Sequence, residues 1–284
     1  MASASDEIEH YLRTGEHDVM FAAWPGDSLL DRASRANAAL RRALMAEVRA
    51  RTAHAMVPEA LVNVDVMTFA RRKVEPMVRG LFPAAEQHPV LDLLSGSVVF
   101  LTPVTIEPVL TKAHYHGTAW RLANVYLMSC GAPLFADDAP QLLGFSEWTT
   151  CYVSMAYFQP INRLDDVLVH EAAHVFHNCK RVTVGLPETR RREWLLDLAF
   201  SKRETFAYAC EAYSRIVALG DSAAARRKLL EEVEAGPMPS DDSVDADEYR
   251  AALRGAVSAR NGWKRILNAC APLQSQHGSR KYAA

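Results

Sequence analysis

Cysteine is scarce in this 284-residue chain: Cys130, Cys151, Cys179, Cys210 and Cys270 are odd in number, widely spaced and free of any Cys-x-x-Cys pair. That excludes a disulfide framework and a thiolate zinc site, and predicts reduced thiols in a cytoplasmic setting. Long apolar runs are also lacking. The most apolar stretch, residues 90–110, is interrupted by Asp92, Pro103, Glu107 and Pro108, so it cannot supply the roughly 20 apolar residues of a membrane span. An export signal needs a basic start and an apolar core, whereas this chain opens with Asp6, Glu7 and Glu9; none is expected. Nor is there an excess of positive charge. The 32 Lys and Arg against 34 Asp and Glu leave a net charge of −2, without the basic field of a dedicated nucleic-acid binder.

What is present is a globular composition, 49% hydrophobic and 23% charged, with length for one large or two small domains. Residues 27–80 repeat apolar side chains at helical spacing, as in Leu40, Leu44 and Val48, then Val66, Phe69 and Val74. After Ser97 the texture becomes β-branched and aromatic. Val98–Leu101 and Val104–Ile106, bounded by Gly96 and Pro108, read as strands, and so does Thr149–Val153. Helices are expected over 162–178 with Asn162 as cap, 202–219 with Ser201 as cap, 223–234 and 247–270, followed by a frayed tail after Pro272. The fold class expected is α+β, predominantly helical, with a small sheet packed beside the helix over 162–178. Three regions follow: helical 1–90, a core over 91–220 and helical 221–284.

That helix carries His170-Glu171-Ala172-Ala173-His174, a His-Glu-x-x-His motif. Residues four apart lie one turn above each other, so both imidazoles can reach one zinc ion at about 2.0–2.1 Å. Glu171 sits beside them, placed to polarise a zinc-bound water without being a ligand. On a helical wheel Leu164, Leu168, Val169, Ala172, Val175 and Phe176 form one broad face, and Arg163, Asp166, His170, His174 and His177 a ridge opposite. A solvated face is the alternative reading of that ridge. His177 lies seven residues from His170, roughly 10 Å along the axis, which places it behind a ligand or at the surface.

These residues resemble the zincin metallopeptidases, which pack a twisted sheet against an active-site helix bearing this motif. The metzincin branch is excluded, because its glycine and third histidine would fall at His177 and Lys180. The run Lys202-Arg203-Glu204-Thr205-Phe206-Ala207-Tyr208 instead resembles the gluzincin arrangement, in which a second helix presents a glutamate to zinc with a small residue three places later. The resemblance implies Glu204 as third ligand and Ala207 as the small residue. Where many members carry an acidic residue supporting a zinc histidine, this chain has Tyr208. Two alternatives stand beside it. Ser201-x-x-Glu204 is also a capping box, and Glu211 lies on the same stripe of the helix as a rival ligand. Glu188 and Glu193 sit in an Arg-rich, polar stretch and read as solvated.

Weaker signals complete the reading. His114 and His116 flank Tyr115 and would share a face on a strand, as oxyanion donors or as a surface pair. Tyr208 is a second candidate for stabilising that charge, or a packing residue, and Arg190–Arg192 is a small anionic contact or a solvated run. The function expected is zinc-dependent hydrolysis of a peptide bond in a peptide or protein substrate, with His170, His174 and Glu204 holding zinc and Glu171 as general base. A zincin-fold binding protein without turnover and a non-peptidase zinc hydrolase are the alternatives.

Overall fold

The computed structural model describes residues 3–159, 162–189 and 192–272. In chain order these form helices α1 (Ala4–Thr14), α2 (Leu29–Arg51), α3 (Glu59–Val62), α4 (Val66–Leu81) and α5 (Ala84–Ser97), strand β1 (Val98–Leu101), helices α6 (Ile106–Lys112) and α7 (His116–Ser129), and strands β2 (Gly144–Glu147) and β3 (Thr150–Ser154). Helices α8 (Val167–Asn178), α9 (Arg203–Leu219), α10 (Ala223–Ala235), α11 (Ala246–Val257) and α12 (Gly262–Cys270) follow. The result is mostly helical with one small sheet, as the α+β expectation has it. The chain divides into two compact units, each discontinuous in sequence: residues 1–71 with 95–162, and residues 72–94 with 163–284. Arg190, Arg191 and the tail after Pro272 lie outside the described residues. Among those described, no helix is long and apolar enough to cross a membrane. All five cysteines are free.

The first unit holds the sheet, in the order β1-β3-β2. Val98 of β1 lies opposite Cys151 in a parallel pair, and Glu147 of β2 opposite Thr150 in an antiparallel one. Val104–Ile106 is not a strand. The Thr105 hydroxyl donates to the Phe100 carbonyl at 2.5 Å and accepts from the Thr102 amide at 2.8 Å, which turns the chain into α6. Pro108 is the third residue of that helix, where the missing N–H breaks no intrahelical bond. Strand β2 had no signature, because Gly144-Phe145-Ser146-Glu147 is four residues long and contains no β-branched side chain. Against this layer α2 turns Ala36, Leu40, Leu44 and Val48, spaced by four and at most 2% exposed. Burial of each of the three larger ones contributes on the order of 2 kcal/mol before chain entropy is counted. Arg41 of the same helix donates to the carbonyls of Leu110, Thr111 and Ala113, so a cation closes the C-terminus of α6.

The second unit is helical. Phe176 of α8 meets Phe206 of α9 and Phe82, with ring centroids 6.5 and 5.3 Å apart. Trp263 of α12 approaches Gly80 so closely that a Cβ there would stand 2.1 Å from the indole, and Tyr213 of α9 meets the same indole edge-on at 4.8 Å. The helix expected over 247–270 is two helices, because Asn261 accepts from the Lys264 amide and starts α12 afresh. The helix expected from Asn162 begins at Val167. Asp166 occupies the cap position without capping: its carboxylate binds Lys73 at 2.7 Å, and its own amide donates to Glu211 at 2.8 Å. Those two contacts hold the preceding residues out of the helix.

Candidate metal centre

Helix α8 is buried on nearly every side. His170, Glu171, His174 and His177 are 8%, 6%, 8% and 6% exposed, so the polar ridge is not a solvated face. Burying that many polar groups is costly unless they are paired, and the pairing comes from α9 and from within α8 itself. Ser201 belongs to a 3₁₀ turn at Phe200–Lys202, and α9 begins at Arg203 with no side-chain cap. Glu204 is therefore not the capping-box glutamate. Its Oε2 lies 3.6 Å from His170 Nε2 and 3.4 Å from His174 Nε2, and the two Nε2 atoms are 3.1 Å apart.

That triangle has the dimensions of a metal site. Ligand atoms at about 2.0–2.1 Å from one tetrahedral ion are separated by about 3.3–3.4 Å, which the three edges bracket. Two imidazoles and one carboxylate form a borderline nitrogen and oxygen donor set, and three protein ligands leave a fourth position open. Among the described residues this is the cluster of three groups able to share an ion.

Behind the ligands lies a layer of acceptors. Glu211 Oε2 stands 3.2 Å from His170 Nδ1, while its Oε1 takes the Asp166 amide. Glu211 is thus not a rival ligand; it holds His170 with Nδ1 protonated and Nε2 turned to the centre. On the other histidine, His174 Nδ1 is 3.0 Å from His177 Nε2, and His177 Nδ1 is 3.0 Å from Asn178 Oδ1. The network assigns His174 as donor to His177 and His177 as donor to Asn178, which again leaves an Nε2 lone pair for a cation. His177 lies behind His174 and is not one of the three groups that could share an ion. Seven residues, two helical turns, separate Glu204 from Glu211, so both face α8. That shared stripe was the sequence signal for Glu211, read there as rivalry.

Electrostatics agree with a centre that favours positive charge. Burial works against a charged His170, but the hydrogen bonds to Glu204 and Glu211 and the nearby Glu171 outweigh it and raise its pKa to about 10. Burial would likewise raise Glu204, yet His170 and His174 hold its carboxyl well below the usual carboxylate range. His177 is pushed down to about 3 by burial, His174 and Arg203, consistent with a neutral acceptor.

Tyr208 stacks edge-on against His170, with centroids 4.4 Å apart. Ala207 is fully buried. Glu188 is exposed, and Glu193 pairs at the surface with Lys180 at 2.7 Å. His114 and His116 do not share a strand face: His114 is exposed beside Glu147, whereas His116 opens α7 and is buried. Neither belongs to the unit that carries the triad. No known protein family, curated protein or solved structure matches the chain.

Proposed function

We propose that the protein is a zinc-dependent hydrolase, a metallopeptidase of zincin-like build acting on a peptide or protein substrate in the cytoplasm. The observation that carries this reading is the triangle of His170, His174 and Glu204, with Glu171 beside the two histidines on the same helix. Zinc bound there would supply Lewis acidity, lowering the pKa of a water toward about 7 and polarising the substrate carbonyl. His170, His174 and Glu204 hold the ion, with Glu211 and His177 fixing the ring orientations. Glu171 takes the proton of the water as it attacks the carbonyl carbon, then delivers that proton to the leaving amine as the C–N bond breaks. Tyr208, edge-on to His170, is assigned to the developing oxyanion.

Two measurements test the reading together. Elemental analysis of purified protein is expected to give about one zinc per chain. Glu171→Gln is expected to keep that zinc and to lose peptide hydrolysis on the order of 10²–10⁴-fold. Protein that takes up no zinc on reconstitution refutes the metal site; a Glu171→Gln enzyme with undiminished turnover removes Glu171 from the chemistry.

A further inference from the structure

The hairpin between β2 and β3 turns through Trp148 and Thr149, and Trp148 has φ 57°. A two-residue turn with only its first central residue at positive φ follows the type II′ pattern, where glycine is the ordinary occupant and a bulky side chain is strained. Burial does not offset the strain, because Trp148 is 57% exposed. Its neighbours extend the same surface. The His114 ring lies 5.7 Å from the indole and 6.4 Å from the ring of Tyr115, itself 63% exposed. Against His114 lies Glu147, the residue before Trp148, whose side chain is only 9% exposed. Its Oε2 has long contacts to His114, 3.3 Å to Nδ1 and 3.4 Å to the amide, and its Oε1 is buried without a hydrogen-bond partner. Arg121, on a neighbouring helix, has its guanidinium over the Phe145 ring at 5.9 Å and forms no ion pair with Glu147 among the described residues.

We propose that this shelf in the first unit binds a basic side chain of a peptide or protein, with a guanidinium preferred. Aromatic faces attract a cation through their quadrupole, and a planar guanidinium stacks on them better than a compact ammonium does. A carboxylate buried beside those rings, with one oxygen lacking any hydrogen-bond partner, adds a field that a neutral ligand cannot use. The strained tryptophan then has a reason: the turn gives up the glycine that its backbone favours in order to present an indole. This inference is independent of the zinc reading, since none of its residues belongs to the second unit.

The test is a calorimetric titration of the full chain with a short peptide containing one arginine and with the same peptide carrying citrulline, the uncharged isostere. The arginine peptide is expected to bind about tenfold or more tightly than its citrulline counterpart. Trp148→Gly should weaken it by about tenfold while Tm stays equal or rises, because glycine relaxes the turn. Glu147→Gln should weaken it as well and flatten its salt dependence. Should Trp148→Gly lower Tm, Tyr115→Ala gives the same reading. Absence of binding by the arginine peptide, equal binding of both peptides, or wild-type affinity in these variants overturns the proposal.

Discussion

Each compact unit contains a pair of histidine rings in contact, and the two pairs have nearly the same geometry. His170 and His174 lie with centroids 4.9 Å apart and planes at 67°; His17 and His116 lie 4.9 Å apart at 72°. Their surroundings differ in where the carboxylates lie: Glu7 and Asp18 act on His17 only through space, with no ion pair among the described residues, whereas the other pair has carboxylates in contact. Glu204 and Glu211 face the first pair, and the His170 pKa rises to about 10 despite burial. Around the second pair His116 Nε2 meets only the neutral Asn37 Oδ1, at 2.6 Å, and its Nδ1 is buried with no partner. Burial, His17 and Arg41 together lower its pKa to about 4. On the zinc reading proposed above, adjacent imidazoles alone do not suffice; acidic groups presented from a second helix close the triangle and set which ring nitrogen keeps its proton.

The sharpest way to break this contrast is to remove the carboxylate that closes the triangle. Structural zinc binding is worth about 10–16 kcal/mol over four ligands, or roughly 2.5–4 kcal/mol per ligand, so Glu204→Ala is expected to lower zinc affinity roughly 10²–10³-fold. Glu204 caps nothing but pairs with the buried His170 and His174, so Tm of the metal-free protein should fall as well, and zinc affinity is measured well below that Tm. A variant that binds zinc normally but unfolds more easily would mean that the glutamate is structural after all. Glu211→Gln comes next, with an expected loss of about 10–100-fold, the usual cost of removing an acceptor behind a ligand histidine. Competition against a chelator of known affinity measures both. A larger loss for Glu211→Gln than for Glu204→Ala would exchange their roles.

How much of this was readable before folding follows from which signals are local. The motif helix and the meeting of His170, His174 and Glu204 are legible because a one-turn spacing and a helix start are short-range patterns. The role of Glu211 is not, because a stripe on a helix says which residues face together but not which one reaches the ion and which one reaches a ring. His177 shows the same limit: axial distance excluded it as a ligand, yet its contact with His174 needed side-chain geometry. Strand β2 has four residues and no β-branched side chain, and it exists because β3 offers it an edge. Interleaving of 72–94 with 163–284 is likewise illegible, since a compact unit assembled from distant segments leaves no break in composition.

A third prediction sharpens the contrast from the other side. His116 has a folded pKa near 4, below the ordinary value of 6.5, so between those values the unfolded chain binds more protons than the folded one. Stability is then complete above about pH 6.5 and declines as pH falls toward 4. Allowing for solvent screening, the loss attached to this group is on the order of 2 kcal/mol. The charged and titratable groups around it are His17, Arg41 and Tyr11. In His116→Gln, whose amide can still donate to Asn37, the fall in Tm between pH 7 and pH 5 should shrink. An identical fall in both proteins would show that His116 is as tolerant of charge as the carboxylate-flanked pair.

The smallest effect is expected at His177, where the acceptor behind a ligand is neutral. Glu211 and His177 take equivalent positions, each 3.0–3.2 Å from the Nδ1 of a ligand histidine, but only Glu211 is a carboxylate. Hydrogen bonds to an ionised acceptor are roughly twice as strong as neutral ones. His177→Gln, which keeps an acceptor of similar reach, should therefore lower zinc affinity less than tenfold, and less than Glu211→Gln does. His177→Ala removes the acceptor and leaves His174 Nδ1–H buried, so it should fall between the two variants and also lower Tm. The order Glu211→Gln, His177→Ala, His177→Gln is what charge on the acceptor requires. If His177→Gln proved as damaging as Glu211→Gln, the imidazole itself, and not simply an acceptor at that place, would be what His174 needs.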